Sequence, residues 1–183
     1  QLPGMRVLAD AGCSWGAVLE ETLKKGATPP VIPDYRGLSV GGTLSIGGIS
    51  PTTYRYGAQV DNVEALEVVT GEGDIVFCSR HLHRELFDAV LAGQGQCAVI
   101  ARAVIRLVPA PARVRVISFL YADVATALKD ADRLVDEHRF DGVFVFAFPN
   151  GRGHPVVLGG TKYYSPPTQV DDDELVAGLN FVP

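Results

Sequence analysis

Asp34 stands immediately before a glycine-rich turn and beside Tyr35. A carboxylate in such a place can accept a proton or a hydrogen bond from a substrate. The alternative is an Asp whose side chain caps nearby main-chain amides. A little further on, Gly41-Gly42-Thr43-Leu44-Ser45 combines glycines with small hydroxyls. Glycine lets a ligand come close to the backbone, and successive main-chain N–H groups can hold an anion or the edge of a ring. A tightly packed turn would use the same residue types. The stretch is not a P-loop, because G-x-x-x-x-G-K-[ST] is absent.

Other strings are less informative. Gly93-Gln94-Gly95-Gln96-Cys97-Ala98 fits G-x-G-x-x-A, but a helix precedes it and a strand follows. The dinucleotide fingerprint needs the reverse order. Gly151-Arg152-Gly153-His154 lies between two strand-like runs and reads as a hairpin turn rather than a site of cofactor attachment. His81 and His83, with no carboxylate or thiol in register, read as a solvated helix end and not as metal ligands. Glu20-Glu21 and Lys24-Lys25 suit an exposed, ion-paired helix face.

The elements that must position these residues follow from pattern. Arg6 to Ala11 is strand-like, and Ser14 caps a helix from Trp15 to Lys25 that Gly26 stops. Pro33 to Pro51 is rich in glycine and small hydroxyls, yet too apolar for a flexible linker, so its backbone should pack closely against something. Val63–Thr70 and Asp74–Cys78 form a hairpin across Gly71-Glu72-Gly73. A short helix runs from His83 to Leu91, and a strand from Ala98 to Val108. Pro109-Ala110-Pro111 is the best boundary, dividing the chain into 1–110 and 111–183. Beyond it come a strand from Val114 to Tyr121 and a helix capped by Asp123 that reaches about His138. Val143–Phe148 and Pro155–Tyr164 then form a hairpin, and a helix opens at Asp171 to Asp173.

A chain of 183 residues, 47% hydrophobic, can bury one core or one domain plus part of another. Its net charge of −5, with acids and bases interspersed, lacks the basic stripe of a nucleic-acid binder or of a partner for an anionic membrane. No apolar run reaches membrane-spanning length and no signal peptide is visible. The cysteines, Cys13, Cys78 and Cys97, are odd in number and all sit among apolar neighbours, where buried inert thiols are usual. That pattern fits a reducing compartment and leans towards the cytoplasm.

Taken together, the segments resemble the cytokinin dehydrogenases, within the vanillyl-alcohol-oxidase (PCMH-type) group of FAD-linked oxidases. The resemblance runs through Thr28-Pro29, Pro33-Asp34-Tyr35, Leu38 to Ser45, Gly48-Ile49-Ser50, Arg55-Tyr56-Gly57, Gln59 and Asn62-Val63. It continues through Val68 to Gly71, Cys78-Ser79, Leu86 to Leu91, Gly95-Gln96 and Val99 to Ala103. After Ala112 it is looser, although Lys162-Tyr163-Tyr164 and Leu179 to Pro183 still fit.

The resemblance implies an α+β fold: residues 1–110 as the second half of a PCMH-type FAD-binding domain, and 111–183 as the start of a substrate (cap) domain with an antiparallel sheet. It implies FAD as cofactor and a small-molecule substrate, a secondary amine oxidised at its CH–NH bond. Asp34 would face the flavin and accept a hydrogen bond from the substrate amine. Tyr35, Ser39, Gly41, Gly42, Thr43, Ser45, Ile49 and Gly95 would line the FAD with it, and Ile100 would meet the cofactor through its main chain. Arg36-Gly37, Ile46-Gly47 and Gln96-Cys97-Ala98 depart from the family pattern. The family's N-terminal FAD subdomain, with its Gly-His attachment motif, and its closing segments are not among these residues, so a fragment is expected that does not hold FAD tightly by itself. Two other functions fit the same residues: an FAD-linked oxidase of alcohols, sugars or lactones, and a non-catalytic flavin-domain fragment.

Overall fold

The computed structural model describes residues 4–148 and 156–182. The chain divides into two compact units, Gln1–Ala110 and Pro111–Pro183.

The first unit contains β1 (Arg6–Asp10), α1 (Trp15–Leu23), β2 (Ala27–Thr28), α2 (Val40–Leu44), α3 (Thr53–Tyr56), β3 (Val63–Thr70), β4 (Ile75–Ser79), α4 (Arg84–Val90), β5 (Ala98–Arg106) and β6 (Val108–Pro109). Its main sheet has the order β1-β5-β3-β4, with each neighbouring pair antiparallel. One face of that sheet carries Leu66, Val68, Cys78, Ile100 and Ile105, which pack with Trp15, Val40, Leu44 and Phe87 from the helices. Each fully buried side chain of this size contributes roughly 1.5–3 kcal/mol. Two register shifts interrupt the β3–β5 ladder, between Val63 and Ala65 and between Glu67 and Val68. They explain why apolar and polar residues do not alternate strictly along β3.

Local rules account for most boundaries. Ser14 accepts a hydrogen bond from the Ala17 N–H and caps α1. The helix ends at Leu23, two residues before the expected Lys25. Gly26 then takes the left-handed conformation, φ +67°, that ends such helices. The strand expected through Val108 stops at Arg106, and Val108–Pro109 pairs separately with β2. Pro109 is tolerated there because that two-stranded ribbon leaves it at an edge. Neither α2 nor α3 is expected from the pattern. Two glycines in five residues argue against a helix, and tertiary packing overrides that propensity at α2.

The second unit contains β7 (Arg113–Tyr121), α5 (Val124–Asp136), β8 (Gly142–Ala147), β9 (Val156–Tyr164) and α6 (Asp172–Val176). Its antiparallel sheet has the order β7-β9-β8. Asp123 caps α5 through the Thr126 N–H, and Ala127, Ala131 and Leu134 turn to the core with Phe119, Phe140 and Leu158. Asp171 caps α6 through the N–H groups of Asp173 and Glu174. The expected turn at 150–153, with His154, lies outside the described residues. No helix among the described residues is long and apolar enough to cross a membrane.

Candidate flavin site

Ser39 begins the site. Its hydroxyl accepts from the Gly42 N–H and its main chain precedes α2, so a serine N-cap starts a helix in the middle of the glycine-rich run. The glycines are there for space. A Cβ at Gly41 would lie 2.7 Å from the Ala11 Cβ, so only glycine lets α2 settle against the end of β1. The Gly41 N–H donates to the Ala11 carbonyl at 2.8 Å, and Trp15 Nε1 donates to Thr43 Oγ1 at 2.7 Å. At the other end of α2, the Ala92 N–H donates to the Leu44 carbonyl and the Gln94 N–H to the Ser45 carbonyl. Those bonds bring the loop carrying Gly95 beside Ser45.

The result is a groove of about 340 Å³ in the first unit. Gly41, Gly42, Ser45, Gly95 and Ile100 all line it, joined by Ala11, Gly12, Ala98 and Val99. Two glycine-rich segments some fifty residues apart in sequence thus share one wall. A Cβ placed on Gly12 or Gly95 meets nothing within 4 Å, so at both residues the backbone itself is open. Val99 is 68% exposed while Ile100 is buried. The strand therefore offers an apolar surface and its main chain rather than a charged group.

The remaining expected residues take other places. Asp34 and Tyr35 are exposed on the loop before α2, with the Tyr35 ring against Gly37. Ile49 is 76% exposed beyond the far end of α2. Thr43 is buried, bonded to Trp15 and donating to the Val40 carbonyl, so its hydroxyl serves the core. Ser45 Oγ donates to the Gly41 carbonyl at 2.8 Å. One expectation needs correction. Gly41-Gly42 does not present free amides as an anion nest, because both N–H groups are used inside the protein, by Ala11 and Ser39. What the stretch supplies is a wall without side chains.

Ala11, Gly12, Ala98 and Val99 were not among the residues expected to line the cofactor. Their signal was faint: small residues just beyond β1 and at the start of β5, joined only because the Ala11 N–H reaches the Ala101 carbonyl at 2.9 Å. The cysteines also differ from expectation. Cys78 is buried, and burial raises its thiol pKa, but Cys13 is only half-buried and Cys97 is exposed. No group of three or more His, Cys, Asp or Glu side chains able to hold a metal ion occurs among the described residues.

Residues 2–79 match the model of the FAD binding domain family. Over this part the chain is similar to FAD-linked oxidases. It is 42% identical over 173 residues to an oxidoreductase of the fasciation locus of Rhodococcoides fascians, covering 94% of this chain and 40% of that protein. It is 46% identical to cytokinin dehydrogenase 4 of Oryza sativa over 79% of this chain and 28% of the relative. To cytokinin dehydrogenase 3 of Arabidopsis thaliana it is 46% identical over 73% of this chain and 25% of the relative. The chain thus spans two fifths or less of these relatives. The first unit's mixed α+β fold, with an antiparallel sheet and helices, fits a PCMH-type FAD-binding domain, and the matching family model is one of FAD binding. The groove fits such a group. A flat ring needs an apolar wall it can approach closely, and open backbone at Gly12 and Gly95 beside Val99 gives one.

Proposed function

We propose that the protein is an FAD-dependent oxidoreductase of the cytokinin dehydrogenase kind, which oxidises a secondary amine to an imine. The observation that carries the reading is the shared groove. The glycine-rich run and the Gly95–Ile100 segment line one apolar wall in a chain whose residues 2–79 match an FAD binding domain. On this reading the first unit is the second half of the FAD-binding domain, and the second unit opens the substrate domain.

FAD, when bound, supplies the two-electron acceptor for the hydride that leaves the carbon next to nitrogen. The chain's own residues do the rest. Gly12, Gly42 and Gly95 admit the cofactor to the backbone. Val99 and the main chain of Ile100 flank it. Asp34 is exposed and is preceded by Pro33, so its carboxylate is available to an incoming amine. It accepts the amine proton, and loss of that proton and the hydride together leaves a C=N bond. A carboxylate acceptor suits the N–H donor of a secondary amine. The named relatives favour the amine over an alcohol, sugar or lactone.

The test is a visible absorption spectrum of the protein made from its complete reading frame, followed by turnover of an isoprenoid adenine beside a panel of sugars and alcohols. Flavin bands with turnover of the amine are expected. Flavin bands with turnover of sugars alone would replace the substrate and keep the fold. No flavin band would leave a non-catalytic domain.

A further inference from the structure

Gln59 is 1% exposed, and its side chain touches two segments that the proposed chemistry needs. Its Nε2 donates to the Val31 carbonyl at 3.3 Å. Val31 is buried and lies three residues before Asp34. The Gln59 main-chain N–H donates to the Gly48 carbonyl at 2.8 Å, next to Ile49. Its Oε1 lies 1.9 Å from the place where a Cβ on Gly48 would be, and Gly48 sits at φ +67°. No other residue type would leave room for the amide there. Oε1 has no hydrogen-bond partner among the described residues.

An amide buried only for stability would have both ends satisfied, or would be replaced without loss by an apolar side chain of the same length. Gln59 has one end satisfied, and that end grips the segment leading into Asp34. Thr52 repeats the arrangement one residue earlier, since its buried Oγ1 donates to the Pro30 carbonyl at 2.8 Å. The other end of the Asp34 loop is held from α1. There the Gly16 N–H donates to the Arg36 carbonyl at 2.8 Å and the Trp15 N–H to the Leu38 carbonyl at 3.0 Å. The loop is therefore anchored twice, and only the near anchor depends on Gln59 and Thr52.

We infer that Gln59 is a positioning residue: its buried amide clamps the Pro30–Val31 segment to the Gly48 turn and so sets where the Asp34 carboxylate stands. The consequence for turnover rests on the proposed amine oxidation. The clamp itself does not.

The test compares the parent protein, made from its complete reading frame, with Gln59→Met, which keeps length and removes the donor. Gly48→Ala is the second variant: it keeps the amide and pushes it aside from the opposite wall. Limited trypsin digestion reads the loop directly, because Arg36 is exposed. Cleavage after Arg36 is expected to speed up by about tenfold in both variants, through easier local opening, while bound flavin stays near the parent's in both and the thermal midpoint does so in Gln59→Met. Amine turnover should fall by roughly 10- to 100-fold in kcat, as misplaced groups do, with a changed acid limb of the kcat–pH profile. Unchanged cleavage after Arg36 in both variants would overturn the clamp. So would faster cleavage spread along the whole chain with a lowered thermal midpoint, the mark of an ordinary core defect. If Gln59→Met does not fold, the Gly48→Ala digest decides between the same outcomes. A parent protein that turns over no amine would sink the proposed function, while the digestion would still decide the clamp.

Discussion

Trp15 Nε1 donates a 2.7 Å hydrogen bond to Thr43 Oγ1, between two buried side chains 28 residues apart. The bond joins α1 to α2, and α2 carries Gly41 and Gly42, so one wall of the groove depends on it. Thr43→Val keeps the shape and removes the acceptor. An indole N–H left unpaired in the core costs about 1–3 kcal/mol. The urea unfolding midpoint should fall accordingly, and Thr43→Ser, which keeps the hydroxyl, should lose less. An unchanged midpoint for Thr43→Val would mean that the bond adds nothing to stability.

Gly41→Ala and Gly12→Ala separate packing from ligand space. At Gly41 the new methyl would meet the Ala11 Cβ at 2.7 Å, so α2 must shift from β1. Overpacking of that kind costs about 1–3 kcal/mol. At Gly12 a methyl meets no protein atom within 4 Å, yet the residue lines the groove. Stability should stay within about 0.5 kcal/mol of the parent. Flavin content per protein is expected to fall in both variants. Full flavin content in Gly12→Ala would move the cofactor away from this groove.

How much of this was legible beforehand varies with the kind of signal. The β3–β4 hairpin could be read because a Gly-Glu-Gly connection separates two strand-forming runs. The Ser14 and Asp123 caps could be read because a capping side chain acts within its own first turn. The α2 helix could not, because its two glycines oppose helix formation and its stability comes from Ala11 and Trp15, distant in sequence. The glycine-rich half of the site was visible as composition. Gly12 and Val99 were not, since only strand pairing between β1 and β5 brings them there. The amide nest failed for a related reason. Composition shows that N–H groups are unshielded by side chains, but not whether Ala11 and Ser39 have already taken them.

In the second unit Asp130 is buried and accepts from the Tyr121 hydroxyl at 2.8 Å, the Asn180 N–H at 2.6 Å and Asn180 Nδ2 at 3.0 Å. Burial, and then the bond to Asp130, raises the Tyr121 pKa above its ordinary value of 10. A raised folded-state value means the stabilisation is complete below pH 10 and is lost as pH climbs towards that raised value. Unfolding free energy measured by urea titration should therefore decline above about pH 10, and the decline should be shallower in Tyr121→Phe. Equal slopes in the two proteins would contradict this. Asp130→Ala, which strands three donors, should cost about 2–4 kcal/mol.

Asp34 is exposed, so its replacement by Asn should leave the unfolding midpoint unchanged while removing the proton acceptor. The most direct measurement is anaerobic rapid mixing of the flavin-loaded protein, made from its complete reading frame, with an isoprenoid adenine, following loss of the visible flavin band. The expected result is rapid bleaching in the parent and a rate lower by about 10²- to 10⁴-fold in Asp34→Asn. Bleaching at the parent rate in Asp34→Asn, or a parent protein whose flavin band does not respond to the amine, would contradict the assignment of Asp34 as the group that takes the substrate's proton.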